Sequence, residues 1–128
     1  GDSYSGVEGV SGSAFNDLLS GNASANRLLG QGGNDTLAGR GGDDFLDGGN
    51  GNDIFVFTNN GGIDRVSDFD DFGDDLIQLS ITGIANFSQV QAVMTQSGAD
   101  VLIDFATTDI LLTATTLAVV QADDFVFV

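Results

Sequence analysis

Gly30-Gln31-Gly32-Gly33-Asn34-Asp35-Thr36-Leu37-Ala38-Gly39-Arg40-Gly41-Gly42-Asp43-Asp44-Phe45-Leu46-Asp47-Gly48-Gly49-Asn50-Gly51-Asn52-Asp53 is the stretch that decides the fold. Gly30, Gly39 and Gly48 stand nine residues apart, and five positions after each comes Asp35, Asp44 or Asp53. Two positions further on comes an apolar residue: Leu37, Leu46 and Phe55. The same phase runs backward through Gly12 and Gly21, with Asp17 and Asn26, then Leu19 and Leu28. A fainter copy with Gly6, Glu8 and Val10 starts at Ser3. Three residue types holding one period through five copies mark a stacked repeat rather than a Gly/Asp linker, which would not keep an apolar residue in phase.

The apolar residue at position eight faces inward, and its neighbours at seven and nine face solvent. Glycines let the backbone take positive φ and turn carbonyl oxygens toward a common point, to which Asp adds a short carboxylate. One repeat cannot bury its single apolar side chain alone, so repeats must stack. If each repeat makes half a turn, alternate repeats share a side: Asp17, Asp35 and Asp53 form one row, Asn26 and Asp44 the other. Adjacent strands lie roughly 4.8 Å apart, where like charges repel by about 3 kcal/mol at an effective dielectric near 20. A hard divalent cation with oxygen ligands, calcium above all, turns that repulsion into a bridge, and its binding energy becomes folding energy.

Composition agrees. The 128 residues suffice for one domain, and 41% hydrophobic content favours folding, but a formal charge of −16 opposes compaction. The only bases are Arg27, Arg40 and Arg65, which argues against nucleic acid or an anionic membrane as partner. Absence of Cys and His removes disulfides, the usual zinc sites and Ser-His or Cys-His catalysis. No apolar run approaches membrane-spanning length, so membrane insertion is not expected. The chain begins at Gly1 rather than Met and reads as a piece of a larger protein.

After residue 56 the period stops. The turn-rich Thr58-Asn59-Asn60-Gly61-Gly62 precedes short strands expected from Val66 to Phe69 and from Leu76 to Leu79, separated by an acidic turn at Asp70, Asp71, Gly73 and Asp74. A short helix is expected within 87–95, and strands at 100–105, 109–113 and 124–128. The reading is one domain, 1–128: an all-β nonapeptide roll over 3–56, best formed over 30–56, and a β-rich cap over 57–128 with at most one short helix.

The pattern G-G-x-G-x-D-x-U-x resembles the RTX (repeats-in-toxin), or hemolysin-type, calcium repeat. That resemblance implies a right-handed parallel β-roll, two repeats per turn, with several Ca²⁺ ions held between turns. It further implies that positions two, four and six of one loop join positions one, three and six of the loop eighteen residues later. The clearest set is then Gln31, Gly33 and Asp35 with Gly48, Asn50 and Asp53. A second is Ser13, Phe15 and Asp17 with Gly30, Gly32 and Asp35; all non-Asp members would serve through backbone carbonyls. A third pairs Asn22, Ser24 and Asn26 with Gly39, Gly41 and Asp44, departing from the pattern in the uncharged Asn26 and in Ser24 and Ala25. A fourth uses Arg40, Gly42 and Asp44, closed by Asp64. The segment from Asp53 through Ile63-Asp64-Arg65-Val66-Ser67-Asp68-Phe69 to Ser80 is similar to the end of the roll in serralysin-type proteases. The ending Ala122-Asp123-Asp124-Phe125-Val126-Phe127-Val128 is similar to the acidic-then-apolar termini of type I secretion substrates.

Competing motifs fail on position. An EF-hand starting at Asp68 would need ligands at Phe72 and Leu79, a dinucleotide fingerprint finds Asp35 where glycine is required, and a phosphate loop needs a Lys that is absent. Nothing marks the cleft that paired acids would need for glycoside hydrolysis. The expected function is a non-catalytic secretion and folding module of an exported protein, extracellular or on the cell surface. Its partners would be a type I transporter, met through the C-terminus, and an upstream domain. The alternative is a calcium-stabilised adhesion or polysaccharide-binding module.

Overall fold

The computed structural model describes residues 2–5, 8–69 and 74–128. Gly6 of the faintest copy and Asp70, Asp71 and Gly73 of the acidic turn lie outside the described residues. In the repeats each nonapeptide contributes a loop and a three-residue strand: β1 (Ser3–Ser5), β2 (Gly9–Ser11), β3 (Leu18–Ser20), β4 (Arg27–Leu29), β5 (Thr36–Ala38) and β6 (Phe45–Asp47). Longer strands follow: β7 (Ile54–Thr58), β8 (Gly62–Val66) and β9 (Leu76–Ser80). After a five-residue helix, α1 (Phe87–Gln91), come β10 (Met94–Ser97), β11 (Asp100–Asp104), β12 (Thr108–Leu112) and β13 (Phe125–Phe127). A 3₁₀ turn, Ala122–Asp124, leads into β13.

Successive strands alternate between two sheets, as half a turn per repeat requires. One sheet runs β1-β3-β5-β7-β9-β13 with every pairing parallel. The other runs β2-β4-β6-β8-β12 in parallel and then turns antiparallel through β11 and β10. Within the repeats the register is eighteen residues: Leu18 pairs with Thr36, and Arg27 with Phe45. The nonapeptide period ends at residue 56, but the parallel ladder continues through β8, β9, β12 and β13.

The core is the seam between the sheets. Leu19, Leu37, Phe55 and Ile77 line it from one side, and Leu28, Leu46, Val66 and Leu112 from the other, all fully buried. Each such side chain contributes about 1.5–3 kcal/mol. Among the described residues no helix is long and apolar enough to cross a membrane.

Three local expectations shift. The strand expected from Val66 to Phe69 lies earlier, at Gly62–Val66, because the backbone of Gly62 (φ +91°) packs on the Gly42 carbonyl as a repeat loop would. After Val66 the chain turns: the Ser67 N–H bonds Leu46 O at 3.0 Å, and Asp68 is buried. The helix expected within 87–95 stops at Gln91, since the Val93 N–H closes a tight turn on Val90 O and Met94 pairs with Ile103. Of the late strands, two are shorter than read, at Asp100–Asp104 and Phe125–Phe127, and Thr108–Leu112 keeps its length one residue earlier.

Candidate metal centre

Stacking places the same loop position of alternate repeats face to face. The N–H at position three donates to the position-two carbonyl of the loop below: Gly32 to Ser13 O at 3.2 Å, Gly41 to Asn22 O at 3.2 Å and Asn50 to Gln31 O at 3.0 Å. Each carbonyl keeps a second lone pair for another partner. At position five an amide ladder adds to the stack, with the Asn34 N–H donating to Asn16 Oδ1 at 2.8 Å and the Asn52 N–H to Asn34 Oδ1 at 3.1 Å.

Position six carries the Asp rows. In each case a position-six N–H donates to Oδ1 of the next Asp in its row: Asp17 to Asp35 at 2.7 Å, Asp35 to Asp53 at 2.8 Å and Asp53 to Asp75 at 2.9 Å. In the second row Asn26 donates to Asp44 at 2.7 Å and Asp44 to Asp64 at 3.0 Å. Asp64 therefore continues the second row one rung beyond Asp44. Asp75, which none of the four ligand sets includes, occupies the matching place in the first. Its signal was present: Asp75 precedes Ile77 as Asp53 precedes Phe55, but the spacing within the row has grown to 22 residues.

One bond per carboxylate leaves the other oxygen to be accounted for. Oδ2 of Asp35, Asp44 and Asp53 is buried and has no hydrogen-bond partner. A buried, unpaired charged oxygen is costly. Desolvation accordingly pushes the carboxyls of Asp35, Asp44 and Asp53 above the usual carboxylate range. Asp64 is pushed up to about 7, chiefly by burial and further by Asp44 and Asp43. Asp17 moves the other way, held low first by the Asp2 N–H and then by that of Ser13.

The position-one glycines show why no side chain fits there. A Cβ on Gly30 would strike both the Gly48 carbonyl oxygen and Asp35 Oδ2, so those two oxygens converge on one point beside the Gly30 backbone. On Gly39 and Gly48 it would strike Oδ2 of Asp44 and Asp53. At position two the backbone is left-handed even where the residue is not glycine, at Gln31 (φ +78°) and Arg40 (φ +81°). That conformation costs an L-residue roughly 1–2 kcal/mol.

Among the sequence-derived candidates, Gly48 O and Asp35 Oδ2 are brought together, as are Gly30 O and Asp17 Oδ2, which lie 2.7 and 2.6 Å from a Cβ built on Gly12. Phe15 is 70% exposed, so only its backbone faces the stack, where the Gly33 backbone packs against its carbonyl. The Gly33 and Gly42 carbonyls pack against Gly51 and Gly62 of the loops above them. Among the described residues no three Asp or Glu side chains gather as a metal site, so most ligands of any cation must be carbonyl oxygens. An all-oxygen donor set with buried orphan carboxylate oxygens fits Ca²⁺, which takes 6–8 such ligands.

Residues 5–37 and 20–55 match the family model of the RTX calcium-binding nonapeptide repeat (4 copies). Residues 5–55 carry RTX calcium-binding repeats. These repeats bind Ca²⁺ ions, the group that the orphan oxygens fit. Among solved structures, the extracellular lipase LipA from Serratia marcescens is similar to this chain with a TM-score of 0.63 and 24% identity, a likeness of fold. The match covers 94% of this chain and 21% of the lipase chain, so this chain spans about a fifth of that protein. The AlgE6R3 subunit of the Azotobacter vinelandii mannuronan C5-epimerase is 28% identical, with 94% of this chain and 84% of that one covered and a TM-score of 0.39. No curated protein matches the chain.

Proposed function

We propose that this chain is a calcium-triggered folding module that serves as the C-terminal secretion and folding domain of a larger exported protein. The observation that carries the reading is the set of buried, unpartnered Oδ2 atoms on Asp35, Asp44 and Asp53 inside RTX repeats. Around Asp35 the oxygens to hold an ion are those of Gln31, Gly33, Gly48, Asn50 and Asp53. Around Asp44 they come from Arg40, Gly42 and Asp64. Asp53 faces Asp75 one rung on. Bound there, calcium supplies positive charge and oxygen coordination.

The chain's own residues do the rest. Without a counter-charge the Asp rows repel, and one inward apolar residue per repeat is too little to hold the loops together. The module then stays loose in a calcium-poor cytoplasm and can thread through a type I transporter by its C-terminal Asp-Asp-Phe-Val-Phe-Val segment. Outside, where extracellular modules bind calcium at about 10⁻⁴–10⁻³ M, the loops close, the sheets zip and the upstream domain gains a folded neighbour. The module is non-catalytic, and any activity belongs to the parent protein.

Far-UV circular dichroism against calcium tests the coupling. The β signal should rise with Ca²⁺, not with Mg²⁺, and fall in EDTA; a full signal in EDTA would sink the proposal. Deleting residues 123–128 should stop export while leaving calcium binding by the repeats intact.

A further inference from the structure

We infer that the five repeat turns fall into two classes, and that only those starting at Gly30, Gly39 and Gly48 take calcium; those starting at Gly12 and Gly21 close on themselves. The inference rests on the calcium reading of the RTX repeats and assigns where along the stack it applies.

Three observations divide the turns in the same place. In the first two turns the side chain at position six accepts from the position-two N–H of its own loop: Asp17 Oδ2 from Ser13 at 2.5 Å, and Asn26 Oδ1 from Asn22 at 2.8 Å. The Ser13 hydroxyl adds a second bond to Asp17 Oδ2 at 2.9 Å. In the next three turns the equivalent oxygen, Oδ2 of Asp35, Asp44 or Asp53, has no partner. The backbone at position two switches with it. Ser13 and Asn22 have no positive φ, whereas Gln31, Arg40 and Gly49 stand at +78°, +81° and +88°. A positive φ rotates the position-two N–H out of the loop's interior. In the third of these turns that N–H is taken up elsewhere, the Gly48 and Gly49 N–H groups both donating to Asp68.

A self-capped turn has its acceptor already satisfied, so a cation there would relieve no orphaned oxygen. It therefore needs neither calcium nor the negative charge. Asn at residue 26 fits this exactly where Asp would be required in a calcium turn, since an amide oxygen caps a backbone N–H as well as a carboxylate does. The same logic frees position two of these turns from glycine or left-handed geometry and lets Ser13 and Asn22 stand there.

The test is a count of bound ions by native mass spectrometry and calorimetry on the full chain at saturating Ca²⁺. Asp35→Asn and Asp44→Asn should each lose one ion, and Asp53→Asn, which serves the Asp35 set as well as its own turn, at least one. Asp17→Asn should lose none, because Asn caps the same N–H at residue 26. Asn26→Asp, which restores the repeat's acidic residue without removing the cap, should gain none and guards against a failure of Asp17→Asn to fold. Loss of an ion in Asp17→Asn, or gain of one in Asn26→Asp, overturns the two-class assignment while leaving the calcium module standing. An unchanged count in all three of the Asp35, Asp44 and Asp53 variants overturns the calcium reading itself.

Discussion

Strands β3 to β6 and the later strands β7, β9, β11 and β12 belong to the same two sheets but are held by different means. Each of the former is three residues long and turns one apolar side chain inward, Leu19, Leu28, Leu37 or Leu46. Each of the latter is five residues long and buries two, such as Phe55 and Phe57, Ile77 and Leu79, or Ile110 and Leu112. With roughly 1.5–3 kcal/mol per buried side chain, doubling the number per strand makes the later strands lean more on hydrocarbon than the repeats do. On the proposed calcium reading, one topology rests on a cation at one end and on a core at the other.

The sharpest way to break this comparison is to empty one inward position on each side. Leu37→Ala removes the whole apolar contribution of β5 at a cost of about 2–5 kcal/mol and should abolish calcium-induced folding in a dichroism titration. Ile77→Ala leaves Leu79 in β9 and should fold at higher calcium. Equal loss of folding in the two variants would show that the halves do not differ.

Acidity sharpens it next. Asp64 titrates near 7 and Asp68 near 6, both raised chiefly by burial above the ordinary 3.8. Raised carboxyls bind more protons in the folded state than in the unfolded one between those values. Their contribution is therefore complete below 3.8 and is lost as pH rises through about 6 to 7. Asp17, whose carboxyl is lowered, opposes this only in more acid solution. In EDTA the chain should gain β structure on acidification from neutral pH toward pH 5, with protons doing part of what calcium does; dichroism that is flat with pH would contradict it.

The smallest effect lies outside the ion-bearing half. Asn86 caps α1 by accepting from the Gln89 N–H at 3.1 Å. Asn86→Ala should cost about 1 kcal/mol in thermal denaturation and leave the calcium midpoint of the repeats unmoved.

Much of this was legible in the sequence wherever the period held. The eighteen-residue rows of Asp17, Asp35 and Asp53 and the inward Leu19, Leu37 and Phe55 follow from counting, because a strict repeat converts sequence distance into spatial stacking. Counting failed once insertions lengthened the rungs: Asp44 meets Asp64 across 20 residues and Asp53 meets Asp75 across 22. The Gly61-Gly62 pair read as a turn and became the loop of a further rung. The Asn ladder at Asn16, Asn34 and Asn52 shares the eighteen-residue spacing, but its bonds depend on side-chain direction, which the period does not report. Whether a position-six oxygen is capped or orphaned depends on φ two residues into the loop, and Gln31 and Arg40 give no hint of a left-handed backbone by residue type.

The change of strand direction at the far end of the second sheet has a consequence for association. A coil of near-identical parallel rungs is a growing template, since each exposed edge offers the pattern that the next chain would need to add on. Beyond β12 the ladder reverses through β11 to β10, whose residues Thr95, Gln96 and Ser97 are exposed. An incoming repeat would meet an edge running the wrong way and dressed in polar side chains. That end of the second sheet therefore offers no parallel template to a further repeat.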